Sequence, residues 1–132
     1  MRGDSVLAQY LLGLLYRKNN MPEQALSCLS SAKNFAPDCF QILLSFAECQ
    51  SLAGNMRESY ECAVQLLEKY PADVRLLKLC AQTAYALNNL NAAEEYISRV
   101  LQQEPNSLES LLFRAKILMA KKEYIRVASL LD

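Results

Sequence analysis

The chain has 132 residues, of which 52% are hydrophobic, and it contains only 3 glycines and 4 prolines. These hydrophobic residues are enough for one buried core. The glycines and prolines are too few for the many turns of a β-rich fold. The 14 basic and 14 acidic residues cancel, which argues against a general nucleic-acid binder and against a polybasic membrane patch. No apolar stretch approaches the roughly 18 residues of a membrane span, so no membrane insertion is expected.

The five cysteines are odd in number and form no C-x-x-C pair. They indicate reduced thiols, packed as small hydrophobic side chains, in an intracellular protein of the cytoplasm or the nucleus. The sequence has no histidine, which removes most catalytic triads and catalytic zinc sites. The sequence therefore predicts no enzyme, no metal site and no cofactor.

A period of 34 residues organises the chain, beginning with the interval between Pro37, Pro71 and Pro105. Two further sets of residues, here called columns, recur at the same interval of 34 positions. The first column consists of small residues throughout, and the second consists of small residues except for its last member. They are Gly13, Ala47, Ala81 and Ala115, and Ala25, Ser59, Ala93 and Val127. Such columns indicate a supersecondary unit that recurs along the chain.

Each period holds two runs of about 12–14 residues in which apolar side chains recur at steps of three and four, as in amphipathic helices. Asn, Gly or Lys separates the two runs, and turns are predicted at 18–20, 54–55, 88–89 and 121–122. Proline ends each pair because it cannot continue a helix. The next helix is expected to begin at a capping residue, Asp38 in the second unit and Asn106 in the fourth.

The units run over residues 6–39, 40–73, 74–107 and 108–132, the last truncated inside its expected second helix. The first unit carries small, aromatic and proline residues at the places preferred by the tetratricopeptide repeat family, which the sequence resembles. These are Leu12, Gly13, Tyr16, Ala25, Ala32 and Pro37. The second unit is degenerate, since Gln50 stands where an aromatic residue is usual.

The resemblance implies an all-α, right-handed superhelical solenoid of antiparallel helical hairpins, with about 3.5–4 units in a single domain over residues 1–132. The final segment is apolar and lacks a polar cap. We therefore expect either a fragment of a longer protein or an end that packs on a second copy as a homodimer.

The resemblance further implies a non-catalytic scaffold or adaptor for protein–protein interactions, in a multiprotein assembly such as an anaphase-promoting-complex-like machine. Two alternatives remain: self-association through the uncapped end, and a regulatory appendage of an enzyme. In this family the first helices of successive hairpins line a concave groove for the partner. The matching positions here are Tyr10, Leu14, Arg17, Leu44, Glu48, Arg75, Lys78, Gln82, Tyr85, Phe113 and Lys116.

Apolar side chains beside a basic cluster favour a protein or peptide partner with apolar anchors and some acidic residues. Nucleic acid is not expected. Chaperone-binding members of the family grip a C-terminal carboxylate through five polar or basic positions, which here are Tyr10, Leu14, Ser45, Arg75 and Leu79. Only Arg75 can pair with a carboxylate, so the sequence predicts that chaperone C-terminal tails are disfavoured.

Overall fold

A computed structural model describes the backbone of residues 2–131 and the side chains of residues 5–123, 125 and 129. Its helices are α1 (Arg2–Lys18), α2 (Pro22–Phe35), α3 (Phe40–Leu52), α4 (Met56–Lys69), α5 (Val74–Ala86), α6 (Leu90–Gln103) and α7 (Leu108–Leu131). No strand occurs within residues 2–131. The predicted all-α helical repeat class is confirmed.

The backbone geometry follows the sequence period at the turns inside hairpins. The turns after α1, α3 and α5 each contain one residue with positive φ: Asn20 at 60°, Gly54 at 88° and Asn88 at 65°. These residues are 34 positions apart. Asparagine and glycine adopt the left-handed conformation at the lowest cost, so they allow the chain to reverse sharply into the second helix.

The turn predicted at 121–122 is absent, because α7 continues through both lysines as one helix of 24 residues. Lys122 occupies the repeat position of Asn20, Gly54 and Asn88. Lysine lacks the tolerance of glycine and asparagine for positive φ, which costs it about 1–2 kcal/mol, and it is a good helix former. Within residues 2–131 the fourth repeat unit is therefore a single helix, α7.

The caps of the first helices lie one residue later than predicted. The side chains of Asp73 and Ser107 each accept a hydrogen bond from the backbone N–H three residues further on, at 3.2 and 3.3 Å. The N-cap of α3 is Cys39, which makes no side-chain cap bond. Asp38 precedes this position by one residue, as Asn106 precedes Ser107.

Helices α1–α4, which span the first two repeats, form one compact unit. It is called unit 1 below. In it α1 packs on α2, α2 on α3, and α3 on α4. The small columns lie at the hairpin interfaces, where Gly13, Ala25, Ala47 and Ser59 are all buried. The Ser59 hydroxyl donates to the backbone oxygen of Ala47 at 2.7 Å, which ties α4 to α3.

Helices α5–α7 form the second compact unit, here called unit 2, in which α6 packs against both α5 and α7. Ala81 and Ala93 are fully buried at the α5–α6 interface. Ala115 is exposed, since α7 does not fold back into a second helix. The Val127 side chain lies outside the described residues. The single solenoid over residues 1–132 stays a prediction.

Candidate partner-binding site

Unit 2 brings together most of the predicted groove residues that fall within it. Lys78, Gln82 and Tyr85 share one face of α5 because they are four and three residues apart. Phe113 and Lys116 share a face of α7 at a spacing of three. The two faces meet over α6, where Ile97 is 3% exposed.

All of these side chains except Tyr85 line a cavity of about 260 Å³, which we call the lysine-rimmed pocket. It is lined by Lys78, Gln82, Ile97, Glu109, Ser110, Leu112, Phe113 and Lys116. The volume lies below the roughly 300–1,000 Å³ of small-molecule sites. The pocket therefore fits one inserted side chain better than a whole cofactor.

Aromatic contacts hold the wall of this pocket. The rings of Tyr85 and Phe113 are tilted by 60°, with centroids 5.6 Å apart, a favourable edge-to-face geometry. The Lys116 ammonium lies 5.0 Å from the centroid of the Tyr85 ring. This cation–π contact positions the Lys116 charge beside the pocket.

The electrostatics of the site are basic but partly compensated. Lys78 Nζ lies 3.4 Å from Glu104 Oε1, and both side chains are substantially exposed. Arg75 is exposed and forms an ion pair with Asp73 at 3.3 Å; it does not line the lysine-rimmed pocket. Lys78 and Lys116 are thus the two cations that this pocket presents to a partner.

The predicted groove residues of unit 1 are arranged differently. Tyr10 and Leu14 are half-buried on α1, and Tyr10 packs on the core around Leu29. Arg17 and Glu48 face each other, with Arg17 Nη1 3.2 Å from Glu48 Oε1. The structure corrects the placement of Leu44, which is only 3% exposed and belongs to the core. A partner-binding role for the other predicted residues, in either unit, stays a prediction.

Sequence reasoning missed the contributions that come from outside the first helices. Ile97 lies on α6 and forms part of the apolar wall of the lysine-rimmed pocket. Glu104 follows α6 and forms an ion pair with Lys78. The signal for Ile97 was present, because Leu29 and Ala63, at the same 34-residue interval, are also apolar. Glu104 gave no such signal, since its role depends on the direction of a single lysine side chain.

The thiols of Cys49, Cys62 and Cys80 are poor nucleophiles at neutral pH. Burial raises the pKa of Cys49 and Cys62 and raises that of Cys80 to about 12. A protonated thiol is neither a nucleophile nor a metal ligand. Among the described residues no group of three or more His, Cys, Asp or Glu side chains is placed to hold a metal ion. Nor does any helix in that part of the chain have the length and apolar character needed to cross a membrane.

The stacked helical hairpins and their periodic turns define a helical-repeat protein. Residues 7–38 match the family model described as tetratricopeptide repeat. Residues 7–38 therefore form a tetratricopeptide repeat, and the resemblance to this family that the sequence predicted is confirmed.

One curated protein that the chain resembles is Protein CTR9 homolog of Arabidopsis thaliana, with 34% identity over 94 residues. The match covers 68% of this chain and 8% of that protein, so the chain spans a small part of the length of this relative. The sequence identity between this chain and the solved structures is lower. Their structural similarity shows a common fold.

Among solved structures, the first such domain of Spaghetti (RPAP3), bound to the HSP90 peptide SRMEEVD, matches with a TM-score of 0.82 and 18% identity, covering 90% of this chain and 94% of that one. The second domain of human RPAP3, in complex with the HSP70 peptide SGPTIEEVD, matches with a TM-score of 0.78 and 15% identity over 89% and 98%. MamA residues 41 to the end, from Desulfovibrio magneticus RS-1, matches with a TM-score of 0.85 and 12% identity, covering 94% of this chain and 70% of that one.

This architecture is that of a scaffold for protein–protein interactions, which confirms the coarser part of the predicted function. The matches give no support to a place in an anaphase-promoting-complex-like machine. The expectation that chaperone C-terminal tails are disfavoured is contradicted, because two domains with this fold hold such peptides. That expectation rested on the side chains at five clamp positions alone.

Proposed function

We propose that the chain binds a short polypeptide segment in which an aliphatic side chain is flanked by carboxylates. The lysine-rimmed pocket receives the aliphatic side chain. Its combination of an apolar interior with two lysines at the rim is the single observation that carries this proposal. The partner is thus recognised as a linear segment and not as a folded surface.

The two parts of such a segment contribute unequally. Burying one aliphatic side chain stabilises a complex by about 1.5–3 kcal/mol. Each exposed ion pair at Lys78 or Lys116 adds about 0.2–1 kcal/mol and weakens as salt is added. We therefore expect a weak complex, with a Kd of roughly 0.2–1 mM, that depends on the apolar anchor and is tuned by the charges.

The peptides held by two of the structural neighbours have this chemistry. SRMEEVD and SGPTIEEVD both end in Glu-Val-Asp, in which a valine lies between two acidic residues. They are therefore suitable probes for this chain, and chaperone C-terminal tails become candidate partners.

The test is a titration of the full chain against fluorescein-labelled SRMEEVD and SGPTIEEVD, followed by fluorescence anisotropy. We expect saturable binding that weakens about tenfold or more in the double variant Lys78→Glu, Lys116→Glu, since this change converts two attractions into repulsions. The double variant Lys18→Glu, Lys122→Glu makes the same change in net charge at exposed residues outside the pocket. It should bind as the unchanged chain does.

Three results would refute the proposal. The first is no saturable binding of either peptide up to about 1 mM, a concentration that detects even weak complexes. The second is equal binding of the charge-inverted peptide SRMKKVD. The third is undiminished binding by the Lys78→Glu, Lys116→Glu variant when circular dichroism shows that it remains helical.

A second candidate function is self-association through α7, and a specific comparison within unit 2 favours it. The α5 residues Leu77, Ala81 and Ala84 are at most 1% exposed because α6 covers them. Their counterparts 34 residues later lie on one stripe of α7 and are exposed: Leu111 at 44%, Ala115, and Leu118 at 42%. Helix α7 therefore leaves open a face that α5 buries.

A second copy of the chain fits this stripe, since a two-fold interface uses the same surface on both partners. The small side chain of Ala115 lets two antiparallel helices approach closely at their crossing point. Light scattering at increasing concentration is expected to show a dimer that the double variant Leu111→Glu, Leu118→Glu converts to a monomer. A chain that remains monomeric at about 100 μM, well above the range of most specific dimers, excludes this function.

A further inference from the structure

Unit 1 contains a second cavity, of about 250 Å³, on helices other than α1. Its walls come from the end of α2, the loop that follows, one face of α3 and the C-terminal half of α4. We call it the aromatic pocket. It is lined by Lys33, Pro37, Asp38, Phe40, Leu43, Phe46, Cys62, Gln65, Leu66, Lys69 and Tyr70.

Three aromatic rings distinguish this pocket from the corresponding places in the next repeat. Phe40 and Tyr70 lie with ring centroids 4.5 Å apart and planes tilted by 59°. Phe46 carries the Lys33 ammonium 4.6 Å above its ring centroid. The residues 34 positions later are Val74, Cys80 and Glu104. The aromatic character thus belongs to unit 1 alone and is not a property of the repeat.

The charges around the pocket are predominantly basic. Two lysines line it, Lys33 and Lys69, against a single carboxylate, Asp38. Within the described part of the chain, neither lysine has a carboxylate at ion-pair distance. Because the Phe46 ring already orients Lys33, a carboxylate from a partner can pair with it at a small cost in side-chain entropy.

We propose that the aromatic pocket is a second docking site, which takes one aromatic side chain from an acidic segment of a partner protein. The cavity is about the size of a single large side chain, and its rings offer the tilted contacts that another ring prefers. The flanking lysines select acidic neighbours. This goes beyond the proposed function, because it uses α2–α4 of unit 1 and a different anchor.

Cys62 keeps the wall of this pocket apolar. Its thiol is half-buried, and burial raises its pKa more than the nearby Lys33 lowers it. The thiol therefore stays protonated and uncharged at neutral pH. An incoming ring meets neutral sulfur and carbon at this wall, with the charge confined to the rim.

The probe is the peptide acetyl-Ser-Glu-Glu-Trp-Glu-Ser-amide, titrated with the full chain. The chain contains no tryptophan, so indole emission excited at about 295 nm reports the peptide alone, and its burial shifts the emission to shorter wavelength. We expect a shift that saturates with a Kd of roughly 10–300 μM, as for a single anchor with a few charges. Amide chemical shifts of the ¹⁵N-labelled chain should change at residues 33, 46 and 62.

Two exposed-side variants test the assignment without disturbing the core. Lys33→Glu reverses the rim charge, and Gln65→Phe places a ring over the mouth of the pocket from an exposed position on α4. Each is expected to weaken binding about tenfold or more, a change that one lost charge pair or one blocked anchor can produce. Lys18→Glu, at an exposed position of the same unit, should change the Kd less than about twofold.

Three outcomes overturn the proposal. One is the absence of an emission shift at about 1 mM chain, which exceeds the expected Kd. Another is equal binding of the basic peptide acetyl-Ser-Lys-Lys-Trp-Lys-Ser-amide. The third is a loss of binding in the Lys78→Glu, Lys116→Glu variant while Lys33→Glu and Gln65→Phe bind normally, which would place the peptide in the lysine-rimmed pocket.

Discussion

Gly13 of α1 lies directly against Leu29 of α2, so closely that a Cβ on Gly13 would stand 2.7 Å from Leu29 Cγ and 2.9 Å from its Cδ2. Leu29 is fully buried and cannot swing into solvent. The hydrogen on the glycine Cα therefore sets the distance between the two helices of the first hairpin. In the later hairpins alanine holds this position, at Ala47 and Ala81.

Gly13→Ala is expected to destabilise the protein. Replacing glycine in a helix interior gains about 0.5–1 kcal/mol from backbone entropy. Forcing an added methyl group against a packed leucine costs about 1–3 kcal/mol. The net loss, about 1 kcal/mol at the middle of these ranges and at most about 2.5 kcal/mol, should appear as a lower urea midpoint with an unchanged m-value. A gain in stability would show that α1 and α2 can move apart at little cost.

Ala81 and Ala115 occupy the same repeat position as Gly13. Substitution by leucine is expected to affect stability differently at these two alanines of unit 2. Ala81→Leu inserts three carbons into the closed α5–α6 interface and should cost about 2–3 kcal/mol or prevent folding. Ala115→Leu adds them to an exposed helix face, where leucine is also a good helix former, and should change stability by less than about 0.5 kcal/mol. Urea unfolding of the two variants tests this difference. Equal destabilisation would mean that Ala115 is also covered.

The sequence predicted the parts of the fold that depend on the period. The small columns locate the helix–helix contacts because only small side chains permit close approach, and the turns at Asn20, Gly54 and Asn88 follow from their tolerance of positive φ. The fourth turn could not be inferred from polarity alone. Lys122 is polar enough for a turn, but its preference for helical φ decided the outcome.

The candidate site was partly predictable for a related reason. Helical spacing places Lys78 and Gln82 on one face of α5, and Phe113 and Lys116 on one face of α7. Helical spacing does not determine how deeply each side chain is buried, and Leu44 lies in the core. The aromatic pocket was missed because its residues come from three helices, and only their departure from the repeat pattern marks them.

Arg17 and Glu48, which were both predicted to contact a partner, are expected to interact measurably with each other. Their 3.2 Å ion pair is about one-third exposed on either side. A double-mutant cycle with Arg17→Gln and Glu48→Gln should give a coupling energy of about 0.2–1 kcal/mol, reduced at high salt. Zero coupling at low salt would leave Arg17 available to a partner, in contradiction to this geometry. Urea unfolding of the four proteins at two salt concentrations provides the measurement.

Cys80 predicts a loss of stability at alkaline pH. Burial raises the pKa of its thiol from 9.0 to about 12, with a smaller opposing effect of Arg99. Between these values the unfolded chain has lost a proton that the folded chain retains. The free energy of unfolding therefore falls as pH rises, by up to about 1.4 kcal/mol per pH unit from this group. The contribution is fully present below pH 9.0 and is lost as the pH approaches 12.

Cys80→Ala and Cys80→Val isolate this effect from the other groups that titrate at high pH. Both variants lack the thiol, so the difference in unfolding free energy between pH 8 and pH 10.5 should be smaller in each than in the unchanged chain, and by the same amount. Their stabilities at pH 8 will differ, because alanine and valine fill the buried space of Cys80 differently. Chemical denaturation of the three proteins at the two pH values gives the six free energies of unfolding that are needed. An unchanged pH dependence in both variants would show that the folded and unfolded thiols titrate together, which is incompatible with a buried Cys80.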